Sequence, residues 1–304
     1  MTLSYLPVRF SLKFDSPARV DVPPLFVLRS MLGKHLRSMS CIARQNKCPE
    51  CMYNKTCAYA FLFETILPAQ NDVAPGRDRA SHPFAFTDGS LRLGGTIDEC
   101  DFTITLFGKA VEYLPYIYAV FVRAGNDGIF KCRAKFQVAG VEVDGKNILL
   151  DSEHLDVSIE PKIWRLDSAF EDRQGEVLVE LKTPLRFKRG GKYGPDFDAW
   201  AFMTCLFRRA KTLCSLYGSA DGIPDYRPSE KLAISDKKLA WNDAVHYSVR
   251  QKKAMSLGGV TGTLKLSGTF SPFEQNLFDF ARLFNGGKNT SFGLGQMDFW
   301  PKWV

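Results

Sequence analysis

The chain has 304 residues, 45% of them hydrophobic and 24% charged, with a net charge of +7 and a pI near 8.9. That composition excludes an intrinsically disordered or low-complexity chain, and the length suits two domains of about 150 residues each. No apolar run reaches the roughly 18 residues of a membrane span and no basic, apolar leader opens the chain, so a cytoplasmic protein without a membrane partner is expected, its eight cysteines held as thiols or metal ligands.

Residues 2–14 alternate as a strand, and Asp15-Ser16-Pro17 predicts a turn. Pro23-Pro24 opens a helix with Leu25, Leu28, Leu32, Leu36 and Met39 on one face. A cysteine-rich stretch, 41–64, reads as an insertion, and 66–82 reads as a loop. Residues 101–107 alternate as a strand, 109–123 form a helical run interrupted by Pro115, AGNDG predicts a turn, and 131–141 a further strand. The second half repeats this order. EVLVELKTPLRF (176–187) is a strand, 188–194 a basic glycine loop, and 198–218 a helix capped by Gly218. VHYSVRQ and VTGTLKLSGTF are two strands. Ser271-Pro272-Phe273-Glu274 starts the last helix, which carries Phe273, Leu277, Phe280, Ala281 and Phe284 on one face, and SFGLGQMDFW is the last strand. Two βαββαβ units, residues 1–155 and 156–304, predict an α+β chain of two tandem ferredoxin-like domains.

A glycine-rich loop, NGGKNTSFGLG (285–295), joins the last helix to the last strand. It matches neither standard nucleotide loop. Arg282 stands where a Walker A loop needs its first glycine, and Asn289 where it needs Ser or Thr. A dinucleotide fingerprint begun at Gly293 would need glycine at Asp298. Such a loop can still bring backbone close to a nucleic-acid phosphate.

The residues resemble the RAMP superfamily of CRISPR-associated proteins. RSMLGKHLR (29–37) resembles that superfamily's first helix, and GGKNTSFGLG (286–295) its glycine-rich signature loop. CPECMYNKTCAY (48–59) followed by LFE (62–64), TPLRFK (183–188), and YSVRQ (247–251) leading to LGGVTG (257–262) resemble the branch of endoribonucleases that process the CRISPR repeat. The resemblance runs in order along nearly the whole chain. It implies metal-independent cutting of precursor CRISPR RNA, leaving a 2′,3′-cyclic phosphate and a 5′-hydroxyl. The partners it implies are repeat RNA and other CRISPR-associated proteins of an effector complex. The same superfamily contains non-catalytic RNA-binding subunits, which is the alternative.

Metal-free RNA cleavage needs a proton carrier near neutral pH and cations against the developing phosphorane charge. The four histidines are His35, His82, His154 and His246. His35 takes the position where the family carries its catalytic histidine, although on a helical wheel it falls with Leu28, Leu32 and Met39. His246 is the runner-up, while His82 and His154 read as surface residues. Lys288 is the candidate phosphate cation. Arg29 and Arg37 lie on the predicted solvent face of the first helix. Arg186, Lys188, Arg189 and Lys192, beside Tyr193, form one basic loop, and Arg250, Lys252 and Lys253 another. Gly286, Gly287, Thr290, Ser291, Gly293 and Gly295 complete the expected RNA-binding set. No catalytic cofactor is expected. Cys41, Cys48, Cys51 and Cys57 have the number and spacing of a structural zinc site. A zinc deaminase is excluded, because His35 is followed by Leu36-Arg37 instead of the required glutamate spacing.

Overall fold

The computed structural model describes residues 1–67, 73, 79–88, 94–152, 154–167, 169–248 and 253–304, without the side chains of 245–248 and 253. In the N-terminal half the elements are β1 (Thr2–Arg19), α1 (Pro24–Ser40), β2 (Phe84–Asp88), β3 (Thr96–Phe107), α2 (Leu114–Asp127), β4 (Phe136–Val143), β5 (Lys146–Asn147) and β6 (Lys162–Arg165). The sheet runs β2-β3-β1-β4-β5, so the four strands of the βαββαβ unit take the order 4-1-3-2 with antiparallel neighbours.

Local chemistry explains several departures from the expected boundaries. Asp15-Ser16-Pro17 does not turn the chain. β1 continues to Arg19, and its register against β3 shifts between Lys13 and Ala18, so the segment is accommodated as an irregularity inside a long strand. Pro115 does not interrupt a helix. It lies in the first turn of α2, where its missing N–H has no helical partner to lose, and a 3-10 turn over Gly108–Tyr113 leads into it. AGND belongs to the last turn of α2, which ends at Gly128. The core between sheet and helices is aromatic: Phe10 stacks on Phe102 with centroids 5.3 Å apart, and Phe121 of α2 packs against both at 5.2 and 5.1 Å.

The second half contains β7 (Arg173–Leu185), α3 (Ala199–Tyr217), β8 (Ala233–Asn242), β9 (Val245–Ser248), β10 (Lys253–Ser256), β11 (Gly259–Phe270), α4 (Pro272–Phe284) and β12 (Met297–Trp303). Its sheet runs β12-β7-β11-β8, again 4-1-3-2. The strand beside β11 is β8, whereas the expected VHYSVRQ strand contributes β9 to a separate two-stranded hairpin with β10. Val177, Val179 and Leu181 of β7 alternate inward, and Phe280, Ala281 and Phe284 of α4 and Phe202 and Leu206 of α3 are likewise buried. α4 starts as expected: Ser271 accepts from the Glu274 N–H, and Glu274 accepts from the Ser271 N–H at 2.8 Å. Contacts divide the chain into Leu3–Ile163 with Leu216–Gly218, and Trp164–Ser215 with Ser219–Val304 and Met1–Thr2. Each unit holds one ferredoxin-like fold. Among the described residues no helix is long and apolar enough to cross a membrane.

Candidate nucleic-acid interface

The glycine loop of the C-terminal unit is folded largely on itself. Gly286 N–H donates to the Gly295 carbonyl at 2.8 Å, Gly293 N–H to Thr290, and Phe292 N–H to Asn289. The Thr183 hydroxyl, at the end of β7, donates to Gly293 O and accepts from Gln296 N–H, both at 2.9 Å. Arg209 of α3 is buried and reaches Thr290 Oγ1 at 2.8 Å and Phe284 O at 3.2 Å. Gly286, Thr290, Ser291, Gly293 and Gly295 are therefore buried parts of a locked turn, with several of the N–H groups a phosphate cradle would use already committed. Gly295 has φ 75, and a Cβ there would come 2.0 Å from Gly286 O, so its glycine answers to internal packing. Gly287 is half-buried with φ 69, and burial pushes the Cys205 thiol of α3 up to about 12.

What the loop does present is Lys288. Its N–H donates to Arg186 O at 2.9 Å, which fastens the glycine loop to the end of β7. Its ammonium lies 3.4 Å from the Tyr193 hydroxyl and 5.7 Å from that ring's centre. The Arg186 guanidinium lies 3.9 Å from the same centre and the Lys188 ammonium 5.3 Å from it, and the Arg186 guanidinium is also 5.8 Å from the Trp241 ring centre. Burial alone would raise the Tyr193 phenol. The hydrogen bond from Lys288 and the charges of Lys288, Arg186 and Lys188 outweigh it and leave the phenol below its ordinary value.

The neighbouring cations are occupied differently. Lys182 pairs with Asp298, Lys237 with Asp196, Lys265 with Glu176, and Arg282 with Asp279 and Asp298. Arg189, expected with the RNA-binding loop, is 2.6 Å from Asp198, and its backbone closes a tight turn with Lys192, which is exposed. Among the described residues Arg186, Lys188 and Lys288 have no carboxylate within ion-pair distance. Arg250 and Lys252 lie outside the described residues, as do the side chains of Lys253 and His246.

In the N-terminal unit α1 holds the other candidates. Arg29 and Arg37 do not project freely into solvent. Both are half-buried, Arg29 with its guanidinium 5.3 Å from the Phe63 ring centre and Nη2 2.9 Å from His82 Nε2, Arg37 5.8 Å from the Tyr59 ring centre. The aromatic segment after the cysteines supplies these rings and is drawn against the helix at Gly33, where a Cβ would come 2.9 Å from Phe63. His82, read from sequence as a surface residue, is half-buried and stacks on Phe84 with centroids 5.5 Å apart.

His35 is 3% exposed, on the buried stripe with Leu28, Leu32 and Leu36, while Met39 has turned out of that stripe. Its Nε2 lies 3.5 Å from Asp127 Oδ2 at the end of α2, and Lys34 reaches the same carboxylate oxygen at 3.3 Å. Burial is the main cause that lowers the His35 pKa, Lys34 and Arg123 add to it, and Asp127 opposes. The net shift favours the neutral imidazole.

Cys41, Cys48, Cys51 and Cys57 are free, half-buried thiols, and among the described residues no group of three or more His, Cys, Asp or Glu is placed to hold a metal ion. The structure does not bring the four together as a ligand set. Cys48 and Cys57 pack against the N-terminal core, and burial raises the Cys48 thiol.

Family comparisons agree with this two-unit layout. The AF_1859_N family, described as an N-terminal domain, matches residues 3–161, and the CRISPR-associated endoribonuclease Cas6 family matches residues 179–297. No curated protein matches the sequence significantly. Among solved structures, a Cas6 product complex is 14% identical with a TM-score of 0.53, the alignment covering 98% of this chain and 99% of that one. Thermus thermophilus Cas6 is 17% identical with a TM-score of 0.52, over 98% and 99% of the two chains. A partial Cas6-RT-Cas1–Cas2 complex is 12% identical with a TM-score of 0.50, over 99% of this chain and 46% of that one.

Proposed function

We propose that this chain, whose residues 179–297 match the CRISPR-associated endoribonuclease Cas6 family, cuts the repeat of precursor CRISPR RNA without a metal ion. The 2′-oxygen beside the scissile phosphate attacks phosphorus while a base takes its proton. The bond to the 5′-oxygen breaks and an acid returns a proton there, leaving a 2′,3′-cyclic phosphate and a 5′-hydroxyl. His35 is the proton carrier of this scheme, its neutral ring able to accept, and Lys288 the cation for phosphate charge. The observation that carries the RNA reading is the convergence of Arg186, Lys188 and Lys288 on Tyr193, with no carboxylate of the described residues within ion-pair distance.

A second reading, a non-catalytic RNA-binding subunit, is favoured by one observation: His35 is only 3% exposed. Repeat RNA is the partner in both. Other CRISPR-associated proteins are further partners, as the Cas6-RT-Cas1–Cas2 relative's own assembly suggests.

The test is incubation of the full-length protein with the repeat RNA of its own locus in EDTA. Cleavage is expected to persist, to leave the two stated ends, and to stop when the cut-site nucleotide is 2′-deoxy. Cutting of the deoxy substrate, or a strict need for added metal, overturns the mechanism. Tight binding without any cleavage selects the second reading.

A further inference from the structure

We infer that Tyr193 is the positioning residue of an RNA-phosphate clamp, its ring and hydroxyl holding Arg186, Lys188 and Lys288 in one place for the backbone of the bound strand. This rests on the RNA-binding reading above and assigns a role to a residue outside the expected RNA-binding and catalytic set. Three cations gathered around one small ring repel each other. A nearby acid would relieve that repulsion, as it does for Lys182, Arg189, Lys237, Lys265 and Arg282 of the same unit. Here, among the described residues, the one group shared by all three cations is the negative face of the Tyr193 ring, with its hydroxyl oxygen beside Lys288, while Arg186 also has the Gly258 carbonyl and the Trp241 ring.

The arrangement is also pinned from three sides of the sequence. Arg186 follows β7 and donates to Gly258 O, Lys288 comes from the glycine loop and is tied by its N–H to Arg186 O, and Tyr193 closes the loop between β7 and α3. Cations held in one place and lacking acids lose little rotamer freedom when a chain of phosphates enters.

The distinguishing experiment measures repeat-RNA affinity of the full-length protein across a salt series for wild type, Tyr193→Phe, Tyr193→Ala and Lys288→Ala, with thermal midpoints alongside. Lys288→Ala removes one phosphate contact, and its log–log salt slope is expected to fall by about one. Tyr193→Ala removes no charge, yet is expected to weaken RNA binding roughly 10-fold and to reduce the slope by about one, because its cations no longer point together. Tyr193→Phe keeps the ring and is expected to restore the wild-type slope and most of the affinity. In the Tyr193→Ala/Lys288→Ala double variant the two effects are expected to be less than additive.

Tyr193→Ala with wild-type affinity and slope overturns the proposal. So does an equal loss in Tyr193→Phe and Tyr193→Ala with a lowered thermal midpoint, which marks a folding role. Competition by free inorganic phosphate at millimolar concentration, with no preference for RNA, marks a simple anion site and also overturns it. Wild-type protein that binds no repeat RNA sinks the RNA reading itself, while wild-type binding with insensitive Tyr193 and Lys288 variants sinks only the clamp.

Discussion

His35 joins two roles that pull against each other. As a packed residue it fills the stripe of α1, and as a proton carrier it must exchange a proton with RNA. Its lowered pKa gives a measurable signature. Below the ordinary histidine value of 6.5 the unfolded chain takes up the proton before the folded chain does, so stability is lost as pH falls from about 6.5 toward the folded value. His35→Gln is expected to flatten that part of the stability–pH curve. Most of the acid-side loss from Asp127 remains, because Lys34 chiefly holds that carboxyl below its ordinary 3.8 and His35 contributes less. In the same variant repeat-RNA affinity is expected to stay near wild type while cleavage slows at least about 100-fold, the usual size of a general acid–base contribution. Chemical denaturation and single-turnover cleavage read the two effects separately. Normal cleavage by a folded His35→Gln protein removes the residue from the mechanism.

At the scale of elements, the glycine loop and the helix before it make opposite demands on side chains. Ser271→Ala deletes one half of a reciprocal cap and is expected to cost about 1 kcal/mol, seen as a lower denaturant midpoint. Gly295→Val meets both a left-handed φ of 75 and a carbonyl 2.0 Å from its new Cβ, and is expected to cost clearly more, with the loop's grip on Lys288 loosened as well. An equal or smaller loss for Gly295→Val would show that the loop can re-form around a side chain. The cap was legible in the sequence because all its parts lie within four residues. β8 was not, because AISDKKLAWN is largely exposed along its length and offers no alternation, while the alternating VHYSVRQ attracted the assignment instead. Asp15-Ser16-Pro17 looks like a turn because its residues favour one locally, but pairing with β3 on either side of the irregularity overrides that preference. In the candidate site, sequence found the cations but not their sorting. Whether Arg189 or Arg186 is paired with an acid depends on where Asp198 lies, which only the fold decides. The partnership of His82 with Arg29 has the same origin, since 53 residues separate them.

Across the whole molecule, the repeated βαββαβ element order was the most legible feature, because local periodicity suffices to find most of the elements, and the 4-1-3-2 strand order follows in both sheets. That order also decides which strands stay unpaired on one side. In the C-terminal sheet β12 is an edge, and Val304 N–H points inward to Gln174 O. By the period of two along a strand, residue 301 turns its backbone nitrogen the other way, toward the open edge. Residue 301 is proline, so the edge lacks a donor where an incoming strand would need one, and Lys302 adds a charge beside it. Pro301→Thr is therefore expected to leave the native thermal midpoint nearly unchanged while increasing concentration-dependent light scattering during refolding. Refolding as clean as wild type at high protein concentration would mean the edge is guarded by something else. By this account a single imino acid near the end of the last strand keeps separate molecules from zipping their sheets together.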